Sequence, residues 1–290
     1  MGASGARVPL SRRHPWLLPA AMWLHRLRRW LRWRVDERRG RVRWASSYGV
    51  TLPERLQRHS SLLLRELGET EMWMQHNKVV NLRLASRHTD GLLIRPGETF
   101  SFNKVVGSCT HRKGYVEGMR LSGGRAVPGV GGGICQLANL IHWMVLHSPL
   151  TVTERSEHSF DPFPDNGRVL PWGVGCSIVW NYVDLVVRND TGVTFQLLTR
   201  VGERHLAGEL RSSAPLPVSY HVAARDEAFE RRGDEVWRSN QIWRTSIDRR
   251  TGVVVGEELV KTNRARVLYP VADEMLTAPD PGAGRIGISR

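Results

Sequence analysis

Cys135 stands where nucleophilic chemistry is easiest to build. It closes the run Gly129-Val-Gly-Gly-Gly-Ile-Cys135 and leads into Gln136–His147, where Leu137, Leu140, Ile141 and Met144 hold helical spacing. The thiol therefore belongs at or near the first turn of a helix. A thiol attacks as thiolate, its free pKa is about 8.5, and the unpaired N–H groups of a helix start favour the charged form. Gly131, Gly132 and Gly133 let another backbone or a ligand come close. N–H groups from Gly132 to Gln136 are then the nearest donors for an oxyanion. The competing reading is structural: glycine-rich turns precede many helices, and a small Cys packs well where a helix meets a sheet.

A strand-like stretch, Leu150–Arg155, follows the helix and ends near His158. A Cys-bearing helix start followed by a strand that delivers His is the layout of papain-like thiol enzymes. His142 lies seven residues beyond Cys135, roughly 10 Å by helical rise, too far for a hydrogen bond. His147 falls at the far helix end and His111 in a turn, which leaves His158 as the base. The orienting third residue is open among Asp161, Asn181 and Asp184. A phosphate loop is excluded, because Ile134-Cys135 stand where Lys-Ser/Thr is required. The three cysteines, Cys109, Cys135 and Cys176, form no CxxC pair, so neither a zinc site nor a disulfide framework is expected, and no cofactor. Cys109 and Cys176 read as packing.

These residues sit in a 290-residue chain with 41% hydrophobic and 24% charged residues and a net charge of +14. That composition is globular and implies an acidic partner. No known single-strand-binding module accompanies the eleven tryptophans, so no specific nucleic acid is expected. Residues 1–10 read as disordered. From Ala20, Trp23, Leu24, Leu27, Trp30 and Leu31 share one helical face, with Arg26, Arg28, Arg29 and Arg32 on the rest. This is the composition of an interfacial helix on an anionic membrane surface, or of a surface helix whose Trp/Leu face packs on the domain. The apolar run Pro15–Leu24 is too short to span a bilayer, and no small-residue cleavage site follows it. The expected location is cytoplasmic or peripheral to the inner membrane face.

Residues 59–68 read as a second helix and 78–84 as part of a third. Strands are expected at 177–188, 193–200 and 204–211, the first two joined in a hairpin by Asn189-Asp-Thr-Gly192, and a β-meander at 216–269. The fold class is α+β: a basic helical region (1–58), a central domain with the Cys-bearing helix against a sheet (59–213), a β-rich extension (214–275) and a loose tail (276–290).

Four ordered segments carry a resemblance: Arg95-Pro-Gly-Glu-Thr-Phe-Ser-Phe-Asn103, Gly114-Tyr-Val-Glu-Gly-Met119, Gly131-Gly-Gly-Ile-Cys-Gln-Leu-Ala-Asn139 and His158-Ser159. They resemble the VanW family. Met72-Trp-Met-Gln-His-Asn-Lys-Val79, Phe163–Pro171 and Asn181-Tyr-Val-Asp-Leu185 resemble its stand-alone members, which are encoded with glycopeptide-resistance genes. The resemblance runs from about residue 12 to about 268. It implies an accessory role in cell-wall metabolism and an L,D-transpeptidase-like acyl transfer through Cys135, with His158 as base and Asp184 in the family's strand motif. The alternative it leaves is a non-catalytic module that binds precursor peptides or lipid-linked precursors. Ser156-Glu157 replace the His-rich run of close relatives, and Cys176 stands where a small residue is expected. A substrate ending in a carboxylate needs a cation. Of the flanking Arg125, Arg155 and Arg168, the last, in the Asn-Gly-Arg turn, is favoured beside Gly132, Gly133 and Gln136.

Overall fold

In the computed structural model, which describes residues 16, 18–65, 71–122, 124–157, 160–165 and 169–277, the basic N-terminal segment forms helix α1, Leu18–Arg38. Strands β1 (Arg43–Trp44), β2 (Ser47–Tyr48) and β3 (Glu54–Leu62) follow, then α2 (Met72–Thr89), β4 (Leu92–Ile94), β5 (Glu98–Ser101) and the short α3 (Phe102–Val106). A hairpin of β6 (Glu117–Ser122) and β7 (Arg125–Val130) leads into α4 (Cys135–Leu146). Then come β8 (Thr151–Glu154), β9 (Phe160–Asp161), β10 (Val186–Arg188), β11 (Phe195–Val201) and β12 (His205–Ser212), and finally β13 (Val218–Arg232), β14 (Glu235–Asp248) and β15 (Val254–Val267). The fold is α+β.

The strands assemble as β1-β5-β10-β8, as β2-β4-β11-β12-β3, and as β13-β14-β15-β9, beside the β6-β7 hairpin. Helix α2 packs on β11 and β6, and α4 on β12 and β3. Leu137, Leu140, Ile141, Met144 and Val145 of α4 are fully buried in one core with Leu82, Phe100, Phe195, Leu197 and Leu210. Each such side chain contributes about 1.5–3 kcal/mol through its removal from water. The buried α4 core therefore anchors the helix that carries Cys135. A smaller cluster of Leu146, Val174, Val222 and Ile242 joins the C-terminal sheet to the end of α4. Among the described residues no helix is long and apolar enough to cross a membrane.

Three expectations of secondary structure need correction. Residues 59–62 are the end of β3, paired antiparallel with β12 over its whole length, so the helix read at 59–68 is absent where the chain is described. The leucine run that suggested it continues the strand, with Leu63 in the core. The boundary drawn at residue 58 thus lies inside a strand. The helix expected through 78–84 is present and extends over all of α2. Only Val186–Arg188 of the 177–188 stretch is a strand. Asn181 adopts φ 52, a left-handed conformation that Asn tolerates, and reverses the chain between Val179 and Val183. The hairpin expected at Asn189–Gly192 also fails, because β10 and β11 lie in different sheets. The Asn189 amide donates to Ile94 O and Val193 O, both at 2.8 Å, and so turns the chain from one sheet to the other. The C-terminal meander has the expected form, with Gly233 (φ 60) and Gly252 (φ 71) at its turns. The tail from residue 278 lies outside the described residues.

Candidate functional site

Cys135 is the first residue of α4 and lines an open cleft of about 1460 Å³. Its walls come from β3, α2, the β6-β7 hairpin, the 160–165 and 169–180 segments and β15. The glycines before it serve close backbone contact. A Cβ on Gly132 would stand 2.1 Å from the Gly118 carbonyl oxygen, and one on Gly133, at φ 92, would stand 2.0 Å from Lys78 Cγ. Neither position admits a side chain. Buried Asn81 locks the contact: its amide donates to Gly132 O at 2.9 Å and Val116 O at 3.0 Å, and its Oδ1 accepts from Val116 N at 2.9 Å. Helix α2 thereby clamps the glycine turn onto β6. Among the described residues the N–H groups of Gly133 and Ile134 donate to no carbonyl, whereas Gly131 donates to Val116 O, Gly132 to Gly129 O and Gln136 to Gly133 O.

The thiol is not held as a thiolate in this arrangement. Burial pushes the Cys135 thiol above its ordinary value, while the N–H groups of Ile178 and of Cys135 itself and the charge of Arg120 pull it down without overcoming that. Desolvation outweighs the helix start, the reverse of the balance expected from position alone. Cys176 is fully buried in the core and pushed up to about 12, again by burial. Burial likewise raises Cys109, which packs against Gly131.

Gln136 lines the cleft, and its amide anchors α4 to β3 by donating to Ser61 Oγ at 2.9 Å and Leu62 O at 2.8 Å. Its Oε1 is buried and has no donor among the described residues. His158 and Arg168 lie outside the described residues. His142 is buried with Nδ1 2.8 Å from Val174 O, and burial lowers it to about 3, so it is neutral and remote from any proton transfer. Arg155 is committed to the Gly173 and Gly175 carbonyls and to Glu157. Arg125 lies on β7 and does not line the cleft.

Asp184 is tied into the fold by three hydrogen bonds. It does not line the cleft. Its Oδ2 accepts from Ser101 Oγ at 2.6 Å, and its Oδ1 accepts from the N–H groups of Asn103 and Leu185 at 2.9 Å. It ties β5 and α3 to the following strand, and Arg29 of α1 approaches it at 3.5 Å. The other two candidates for the third position are latches as well. Asn181 donates to Arg26 O at 2.8 Å, and Asp161 accepts from Arg238 at 3.1 Å and Tyr269 at 2.9 Å.

Burial raises Asp184 from 3.8 to about 6, against the pull of Ser101, Asn103 and Arg29. A raised carboxyl is protonated in the folded chain before the unfolded one, so its contribution to stability grows as pH falls from about 6 toward 3.8 and is lost above. Across that window the group contributes roughly 2–3 kcal/mol. Asp184→Asn should remove this dependence. Urea unfolding of both proteins at pH 7 and pH 5 measures it, and equal slopes against pH would show Asp184 to be electrostatically neutral to folding.

Lys78 is the site residue that the sequence reading passed over. It is buried, lines the cleft and donates to Gln75 Oε1 at 2.7 Å, and burial lowers it to about 8, with the nearby charge of Arg65 acting in the same direction. The signal was present: Gln75, Lys78 and Asn81 recur at a spacing of three along the helix face that also carries Met74, Leu82 and Ala85. Arg26, Arg58, Arg65, Arg120 and Arg264 also line the cleft, and the acids that line it, Glu157 and Asp161, are ion-paired with Lys261 and Arg238 respectively. The cleft surface is therefore cationic. His59 lines it too, with burial pulling its imidazole below the ordinary histidine value and its ring set edge-on to Trp143. Among the described residues no group of three or more His, Cys, Asp or Glu could hold a metal ion.

A family model described as "VanW like protein" matches residues 77–211. The chain is 30% identical over 270 residues to the "Vancomycin B-type resistance protein VanW" of Enterococcus faecalis, covering 93% of this chain and 97% of that protein. It is 36% identical over 96 residues to the "Uncharacterized protein YoaR" of Bacillus subtilis, about a third (32%) of each. No solved structure matches it.

Proposed function

The chain belongs to the VanW family, and from that premise we propose that it is a cysteine-dependent acyl transferase acting on peptidoglycan-precursor peptides. The observation that carries this reading is the position of Cys135 at the start of α4 in a cationic cleft, beside the unengaged N–H groups of Gly133 and Ile134. In the proposed reaction the Cys135 sulfur attacks a peptide carbonyl as its proton passes to His158. The oxyanion is met by N–H groups at the helix start. The leaving amine takes the proton from His158, and a thioester remains. A second amine then attacks the thioester, and the sulfur regains its proton. Lys78, Arg120 and Arg168 supply positive charge for the substrate carboxylate. A role in glycopeptide resistance, which the enterococcal relative carries in its name, belongs to the same proposal.

The raised thiol pKa also favours a second reading, a non-catalytic module that holds precursor peptides in the cleft. One experiment separates the two. The protein is incubated with precursor peptides ending in D-Ala or D-lactate, quenched in acid and digested. Acyl transfer predicts a thioester adduct on the Cys135 peptide by mass spectrometry, together with release of the substrate's terminal fragment. Peptide binding with neither adduct nor product rejects the enzyme and leaves the binding module.

A further inference from the structure

Helix α1 is fastened to the domain chiefly through arginines, while most of its large apolar side chains stay exposed. Arg29 pairs with Glu154, donates to Tyr182 O at 3.1 Å and faces Asp184 at 3.5 Å. One turn away on the same side, Arg26 lies over Trp180 and its carbonyl accepts from Asn181, while Trp33 packs edge-on against Trp44. The side facing the domain thus carries Arg26, Arg29 and Trp33, with Met22 and Leu27 half-buried beside them. The apolar stripe faces away: Trp23 is 64% and Trp30 46% exposed, and Leu24, Leu31 and Val35 beside them are exposed too. A soluble helix gains nothing from that orientation, since it leaves two indoles and three aliphatic side chains in water.

We propose that this outer face of α1 lies in the interface of an anionic phospholipid bilayer. Charge complementarity selects the occupant. Arg28, Arg32, Arg34 and Arg38 are exposed around the apolar stripe, Asp36 and Glu37 are the only acids on the helix, and Arg34 stacks on Trp30 at 5.1 Å. Indoles at headgroup depth flanked by guanidinium groups are the composition that binds such surfaces. The helix is held rigidly to the domain, so the membrane orients the whole molecule. Arg26 and Trp180 also line the cleft, so its rim lies beside the bilayer. Resting on the proposed function, this placement makes the substrate a precursor carried on a membrane lipid, met at the surface.

The test is sedimentation of the full chain with vesicles of phosphatidylcholine alone and with about 30 mol % phosphatidylglycerol, at about 0.1 M and about 0.5 M salt. Wild type should bind the anionic vesicles, bind neutral ones weakly, and lose most binding at high salt. Trp23→Ser/Trp30→Ser alters only exposed side chains, so its melting temperature should match wild type, while its partition coefficient falls at least ~10-fold. Acylation of a soluble peptide at Cys135 should be the same in both proteins. A failure confined to acylation therefore counts against the proposed function alone. Absence of wild-type binding, or equal binding by the double variant, overturns the membrane assignment. So does a wild-type dimer that the double variant converts to monomer without any vesicle binding, which would make the face a contact between two copies.

Discussion

Cys135→Ser is expected to lower turnover of precursor peptides by ~10³-fold or more while peptide affinity stays within about threefold. The substitution is nearly isosteric. It keeps the N–H donors at the start of α4, and the α4 core from Leu137 to Val145 is untouched. What it removes is a sulfur that ionises and attacks more readily than a hydroxyl oxygen. A hydroxyl in the same place ionises far less readily, and the burial that already raises the thiol would raise it further. The measurement is steady-state turnover with calorimetric binding on both proteins, with thermal melts to show that the fold persists. Turnover retained by Cys135→Ser would remove this residue from the chemistry. Unchanged biological activity would do the same and leave the cleft as a binding surface.

The Cys135 helix was legible because its signal is local. Four apolar residues at helical spacing after a run of glycines specify both the element and the first-turn position of the thiol. The meander was legible for the same reason, since Gly233 and Gly252 mark its turns. What could not be read depends on partners far along the chain. The inward face of α1 is chosen by Glu154, Tyr182 and Asp184, more than a hundred residues from Arg29. Sequence periodicity finds the stripe of Trp23 and Trp30 but does not say which side the domain holds. Asp184 alternates with Tyr182 and Val186, and only the fold shows that its oxygens close on Ser101 and Asn103. The 177–188 stretch reads as a strand by composition, and one left-handed residue, Asn181, ends that reading. Lys78 was hidden by its own helix, where a lysine ordinarily reads as solvated, and the clue lay in its register with Gln75 and Asn81.

Arg238→Met is expected to destabilise the protein by about 3–5 kcal/mol, which lowers the melting temperature by roughly 10 °C. Arg238 is almost wholly buried on β14, between the rings of Trp172 at 5.1 Å and Phe229 at 5.0 Å. Its guanidinium pairs with Asp161 at 3.1 Å, with Glu227 at 2.8 Å and with Asp165. Asp165 and Glu227 are partly exposed and can regain water when the cation goes. Asp161 cannot, because its carboxylate is 1% exposed. Asp161 then stays buried with the Tyr269 hydroxyl at 2.9 Å but without its guanidinium, and this loss dominates over the packing that Met restores. The carboxylates lie on or beside the 160–165 segment that walls the cleft, so the variant should also lose peptide affinity at temperatures where it remains folded. Arg231→Met is the control. It makes the same change in charge at the exposed pair with Asp273, 2.7 Å apart, and should cost less than about 1 kcal/mol. If the two variants melt together, burial of Arg238 does not set the strength of this network, and the C-terminal sheet is fastened to the cleft by its apolar contacts alone.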